Sequence, residues 1–329
     1  MQEPTLQDSN LQDSHTPAFS KKQPLEADRD ISVAICSHNR SGMLKIVLES
    51  LADQTFPAER FEVVVTDDAS SDDTQAMLQS IRIPYRLVNV RHEVNRGITA
   101  ARNTCLLHSR GRVIIFVDDD VICHQQLLEE HWNFQTAHPR CICNGWVNHV
   151  AEPKRPSCPK LRLEDLSNGY FWTSNVSVRR EYLFQVGLFD ENFIEYGYED
   201  KDMGMMLKAI GIKSRKHMKA IGFHVKPPMQ RKHLESHCRR AVTLAHTALI
   251  YVRKHRTLRS RLSTGIIFFP WLTIHRLTKI GNWLETLCLK RLNRPALHME
   301  DKLCGIDRWC AERLSKIYYY DEVLRYLCH

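Results

Sequence analysis

The chain has 329 residues, 43% hydrophobic and 26% charged, enough to bury a large core and to hold one catalytic-sized domain with a smaller extension. Its 13 glycines and 13 prolines exclude collagen-like and low-complexity classes, and no fixed-period repeat points to a solenoid. The net charge of +8 is uneven: between Met203 and Arg294 roughly twenty Lys and Arg face only Glu235 and Glu285, a balance that suits a phospholipid surface, a phosphorylated substrate or nucleic acid.

Residues 1–29 are polar, with too few apolar positions to fold alone, and read as a disordered tail. From Ile31 the texture changes. Ile31–Cys36 is an apolar, strand-like run, Met43–Leu51 carries apolar residues at helical spacing, and Phe61–Val65 is a second strand. A helix near Asp73–Ile81, a strand near Tyr85–Val90, a helix over Ile98–His108 and a strand over Arg112–Val117 continue the alternation. Such alternation implies an α/β fold with a Rossmann-like, mostly parallel sheet covered on both faces, whose ligands sit beyond the carboxyl ends of the strands. A further helix opens at Tyr198-Glu199-Asp200, where the helix dipole favours carboxylates. After Pro227-Pro228 the chain turns basic and helical, and residues 227–329 read as an extension to a domain spanning 30–226. Ile266–Leu272, followed by His275, Arg276, Lys279 and Trp283, is too short to span a bilayer but suits a helix lying in the headgroup region.

Eleven cysteines, odd in number and without a CxxC pair, together with no recognisable secretory leader, fit reduced thiols in a cytosolic protein.

The polar residues after the strands carry the chemistry. Asp118, Asp119 and Asp120 would repel one another in a low-dielectric crevice unless a cation intervened; Asp118 and Asp120 suit Mn²⁺ or Mg²⁺ shared with a diphosphate, the alternative being an acidic helix cap. His224 is either a nitrogen ligand to that metal or a structural histidine. Asp67 and Asp68 could equally cap a turn, and Arg40 receives no role.

Ile31–Asn39, Gln54–Phe56, Phe61–Asp72, Asn95–Asn103, Phe116–Asp120, Gly187–Glu191 and Tyr198–Asp200 together resemble, in order and spacing, the family 2 glycosyltransferases. The resemblance implies a GT-A type sheet, a nucleotide-diphospho-sugar donor such as a UDP-sugar, and inversion at the anomeric carbon. By motif position it places Cys36, Asp67 and Asp68 at the nucleobase, and Gly97 and Arg102 at the nucleoside or its support. Asp118, Asp119 and Asp120 fall at the ribose, metal and diphosphate, and Asn175 near the donor or acceptor. Asp200 takes the position of the catalytic base, with Glu199 orienting base or acceptor. The acceptor is expected to be a glycan, glycolipid or lipid-linked hydroxyl, met in the cytoplasm or peripherally on the inner face of the membrane. Two other readings stand beside this one: a basic nucleic-acid-binding protein, which leaves the carboxylates unexplained, and a nucleotidyltransferase, whose glycine-rich loop Ser37–Gly42 lacks.

Overall fold

Strand β1 (Arg29–Ser37) is buried on both faces from Ile31 to Ile35, and only the small Ser32 interrupts the apolar residues there. The computed structural model describes residues 25–156, 158–160, 169–266, 280–294 and 297–327. β1 lies parallel to β2 (Phe61–Asp67) on one side and β4 (Gly111–Val117) on the other, and β3 (Arg86–Arg91) extends the set beyond β2. The helices are α1 (Ser41–Ala52), α2 (Thr74–Ser80), α3 (Ile98–His108), α4 (Leu127–Ala137), α5 (Arg180–Gln185) and α6 (Glu199–Ala209).

Side chains alternate between two cores. Ile31, Val33 and Ile35 of β1 join Leu44, Val47 and Leu48 of α1 on one face. Ala34, Val64, Ile114 and Phe116 join Cys105 and Leu106 of α3 and Met203 and Leu207 of α6 on the other. Each large aliphatic side chain so removed from water contributes about 1.5–3 kcal/mol.

Beyond β4 the sheet turns mixed. β7 (Asn175–Arg179) runs antiparallel to β4 and to β6 (Cys141–Val150); β8 (Lys213–Val225) runs parallel to β6, and the short β5 (Val121–Cys123) closes the edge antiparallel to β8. The reversals have a consequence for the crevice. Pairing Val117 with Asn175 puts the start of β7 beside the end of β4, and pairing Val121 with His224 brings the end of β8 next to Asp120. His224 therefore lies next to the last residue of a long strand that begins at Lys213.

Past Pro228 the described residues are mainly helical: α7 (Leu234–Lys254), α8 (Leu258–Thr264), α9 (Ile280–Leu292) and α10 (Gly305–Leu327). They bury apolar groups of their own, with Cys288, Leu292, Cys310 and Leu314 in one cluster and Ala245, Leu249, Val323 and Leu324 in another. Residues 1–24 of the expected tail, and 267–279 of the stretch expected at a membrane surface, lie outside the described residues. Among the described residues no helix is long and apolar enough to cross a membrane.

Candidate active site

The loops after β1 and β2 are zipped together. Asn39, at φ 55°, accepts the backbone N–H of Ser71 at 2.7 Å, and its own N–H donates to Ser70 Oγ at 2.8 Å. His38 Nδ1 meets the Asp68 carbonyl at 2.7 Å. The Asp67 carboxylate is fully buried, accepting Ser70 N–H at 2.9 Å and Gln75 Nε2 at 2.6 Å. Asp68 takes Arg96 N–H at 2.8 Å, Gly97 N–H at 2.9 Å and His92 Nδ1 at 2.7 Å. Gly97 needs its lack of a side chain: its φ is +84°, and a Cβ would stand 2.3 Å from the Ile194 carbonyl oxygen.

The three carboxylates after β4 are held separately. Asp118 accepts the Ser174 hydroxyl and lies 3.9 Å from Arg102 Nη2; burial pushes its carboxyl up, which Arg102 only partly offsets. Asp119 accepts Ser37 Oγ at 2.7 Å and Arg40 Nη1 at 3.2 Å, and burial still pushes it up to about 6. Asp120 behaves oppositely. Burial would raise it, but His224 Nε2 at 3.3 Å and Arg40 at 2.7 Å outweigh burial and hold the carboxyl below its ordinary value.

Across the crevice α6 begins abruptly: Tyr198 caps it in the left-handed region at φ 63°, and Glu199 and Asp200 follow. Glu199 is buried and bonded to Arg102 Nη1 at 2.8 Å and to Gly197 N–H at 2.8 Å. Arg102, buried on α3, thus joins the end of β4 to the start of α6. Asp200 is half-buried; burial first, then the Glu199 charge, push its carboxyl up to about 7 against Arg102 and Lys201. The left-handed turn is braced by α7, whose Tyr251 stacks on Tyr198 with ring centroids 5.6 Å apart. Lys254 bonds Asp202 at 2.9 Å and Asp190 at 2.6 Å, and His255 bonds Asp202 at 2.6 Å.

The structure thus gathers Asp118, Asp119, Asp120, Glu199, Asp200 and Arg102 around one crevice, with Asp68 and Gly97 tied in from behind. Several expected contacts are redirected. Asp67 and Asn175 are fully buried, so neither side chain reaches a donor. Asn175 accepts His131 Nε2 at 2.8 Å and donates to the Ala220 carbonyl at 2.9 Å; burial drops His131 to about 4, which keeps it neutral. Cys36 turns its Sγ to within 3.9 Å of Cys105 Sγ. Both Glu199 oxygens are occupied from within the protein, by Arg102 and by the Gly197 N–H. Sequence reasoning missed Arg40, Thr99 and Asn103: Thr99 holds the Phe193 carbonyl at 3.0 Å, and Asn103 holds the Phe189 carbonyl and Glu191, both at 2.9 Å. The signal lay in the Asn95–Asn103 motif, whose polar positions recur on one face of α3.

For a divalent ion, the relevant observation is that Asp120 Oδ1 and His224 Nε2 face each other at 3.3 Å and that His224 Nδ1 is buried without a hydrogen-bond partner. A hard oxygen beside an imidazole nitrogen fits Mn²⁺ or Mg²⁺, and Asp118 is near enough to feel both. Among the described residues no three acidic, His or Cys side chains are already gathered as a cluster.

A half-parallel sheet with carboxylates at its strand ends and a further acidic pair opening the opposite helix defines a GT-A type transferase. The fold of a mannosyltransferase, PcManGT from Pyrobaculum calidifontis in complex with GDP-Man and Mn²⁺, superposes with a TM-score of 0.61 at 17% identity, over 92% of this chain and 91% of that one. The chain is 27% identical over 262 residues to the uncharacterized glycosyltransferase YfnE of Bacillus subtilis, covering 62% of this chain and 67% of the relative. It is 27% identical over 265 residues to validoxylamine A glucosyltransferase of Streptomyces hygroscopicus subsp. jinggangensis, covering 69% of this chain but 61% of that one, so it spans less than two thirds of that relative. Residues 32–184, a little under half of the chain, match the profile of glycosyl transferase family 2, and with relatives named as glycosyltransferases this makes the chain a glycosyltransferase. That match displaces the nucleic-acid-binding and nucleotidyltransferase readings.

Proposed function

We propose that this chain moves a sugar from a nucleoside-diphosphate donor, with a UDP-sugar the first to test, onto a hydroxyl of a glycan, glycolipid or lipid-linked acceptor, with inversion at the anomeric carbon. The observation that carries the reading is Arg102, which ties the Asp118 end of β4 to the Glu199-Asp200 start of α6. Residues 30–226 would be the catalytic domain and 227–329 an extension that braces the Asp200 turn.

Asp200 is the group that takes the acceptor proton. At about 7, its carboxyl is basic enough to accept that proton and still substantially ionised near neutral pH. Glu199 and Arg102 fix where Asp200 stands, so they are positioning residues. Asp118, Asp119 and the loop held by Asp68 and Gly97 form the donor side. Asp120 and His224, with Asp118 beside them, would hold a divalent ion, which when bound neutralises the charge growing on the departing diphosphate. The PcManGT complex supports a metal in this fold. We place the protein in the cytoplasm, with the basic extension resting on an anionic membrane face; a salt wash that releases nothing from the membrane fraction because all protein is already soluble would argue against that placement.

A thermal-shift screen of nucleoside diphosphates and their sugar conjugates, with and without Mn²⁺, tests the reading, because a ligand of the native state raises apparent stability by mass action. One nucleotide should raise Tm, and more so with Mn²⁺. Asp120→Ala should abolish the Mn²⁺ increment together with turnover. No shift with any nucleotide would overturn the proposal.

A further inference from the structure

Cations and carboxylates are matched around most of the crevice. Arg40 serves Asp119 and Asp120, Arg102 serves Glu199 and lies near Asp118, and Lys254 serves Asp190 and Asp202. Two exposed cations at the mouth are left over. Among the described residues, neither Lys226 nor Arg240 meets a carboxylate at ion-pair distance.

Lys226 directly follows Val225, whose backbone N–H donates to the Asp120 carbonyl at 2.9 Å, so it stands just outside the β4 carboxylates. Arg240 projects from α7 with its guanidinium 5.3 Å from the centre of the Tyr196 ring. His237 lies among them: burial first, then Arg240 and Lys226, hold it below its ordinary value. Tyr196 itself is 55% exposed, four positions before Asp200. Tyr196 runs through Gly197 and Tyr198 directly into Glu199 and Asp200 at the start of α6, and desolvation, then the charges of Glu199, Asp118 and Asp200, push its hydroxyl up to about 12.

An exposed ring beside a catalytic base is an apolar surface for the face of a sugar or polyol. A neutral acceptor needs nothing more. An acceptor carrying negative charge would be repelled by four nearby aspartates, and unpaired cations at the entrance are the arrangement that offsets this. Arg240 stands on the α6–α7 side, with the base, rather than behind the β1–β2 loops. We propose that Tyr196, Arg240 and Lys226 form an acceptor subsite selective for an anionic glycan or polyol chain, bearing phosphate or carboxylate groups near the hydroxyl that receives the sugar. The proposal rests on the transfer reaction above and names the class of its acceptor.

The test uses the full chain saturated with its best nucleoside diphosphate and Mn²⁺, titrated calorimetrically with three probes of equal length: a glycerol-phosphate oligomer, a glucuronate-containing oligosaccharide and a neutral oligosaccharide. At least one anionic probe should bind about tenfold tighter than the neutral one, and the preference should shrink as salt rises. Arg240→Gln with Lys226→Gln should erase the preference while the nucleoside diphosphate Kd changes by less than about twofold. Tyr196→Ala should weaken all three probes about tenfold, and Tyr196→Phe should restore them. Which anionic probe leads identifies phosphate or carboxylate. Equal binding of neutral and anionic probes overturns the proposal, as does a double variant that loses the nucleotide as much as the probes. A wild-type chain that binds no nucleoside diphosphate overturns the transfer reading instead, a separate failure seen before any probe is added.

Discussion

The two walls of the crevice use the same side chain for opposite purposes. Behind the β1–β2 loops, Asp67 and Asp68 are buried and surrounded by N–H donors, so their charge is spent on holding the turns. Along β4 and at the start of α6, Asp118, Asp119 and Asp200 are pushed upward, and Asp120 turns one oxygen to Arg40 and the other to His224 Nε2 at 3.3 Å. A carboxylate saturated by backbone amides is architecture; one left short of donors in a tight space is available for protons and cations. Sequence adjacency does not separate the two kinds.

Replacing Asp200 should break that contrast most severely. Asp200→Asn keeps the shape and removes the proton acceptor, and turnover should fall by about 10²–10⁴ in steady-state assays while nucleotide binding holds. Arg102→Met comes next, since it strands Glu199 in a buried site; denaturant titration should show a loss of about 3–5 kcal/mol. Gly97→Ala attacks the architectural wall: the positive φ and the clash with Ile194 should cost about 1–3 kcal/mol and displace the loop that leads to Asp200. The smallest effect is read through pH. Asp200 binds its proton more tightly folded, at about 7, than an ordinary carboxyl does unfolded, so its contribution to stability is present at low pH and lost as pH rises through about 7. Asp200→Asn removes that loss, and its Tm should exceed the wild type by a few degrees near about pH 8 but not near about pH 4. In the same range, wild-type kcat/KM should fall on the acid side of about 7.

Much of the first half was legible because its central strands are buried on both faces, and apolar runs such as Val113–Val117 leave little choice. The ordered motifs pointed to the family, and the family to Asp118, Asp120 and Asp200. The mixed half was less readable. β8 opens with Lys213 to Lys219, mostly exposed and basic along a strand, and such a segment shows no clean apolar alternation. The fate of single side chains was least readable of all. Whether Asn175 or Glu199 faces a ligand or the interior depends on donors distant in sequence, His131 and Arg102, and even the nearer Gln75 that holds Asp67 gives no sign of it in the sequence. Arg40 looked ordinary because its partners lie about eighty positions away.

Thr99 and Asn103 of α3 clasp the loop at Phe189, Glu191 and Phe193 across 86–94 positions of chain. Two short stretches therefore behave as one inherited unit. Among related chains, a change at Asn103 should survive chiefly where the 189–193 stretch has changed with it, so the two would be expected to vary as a pair.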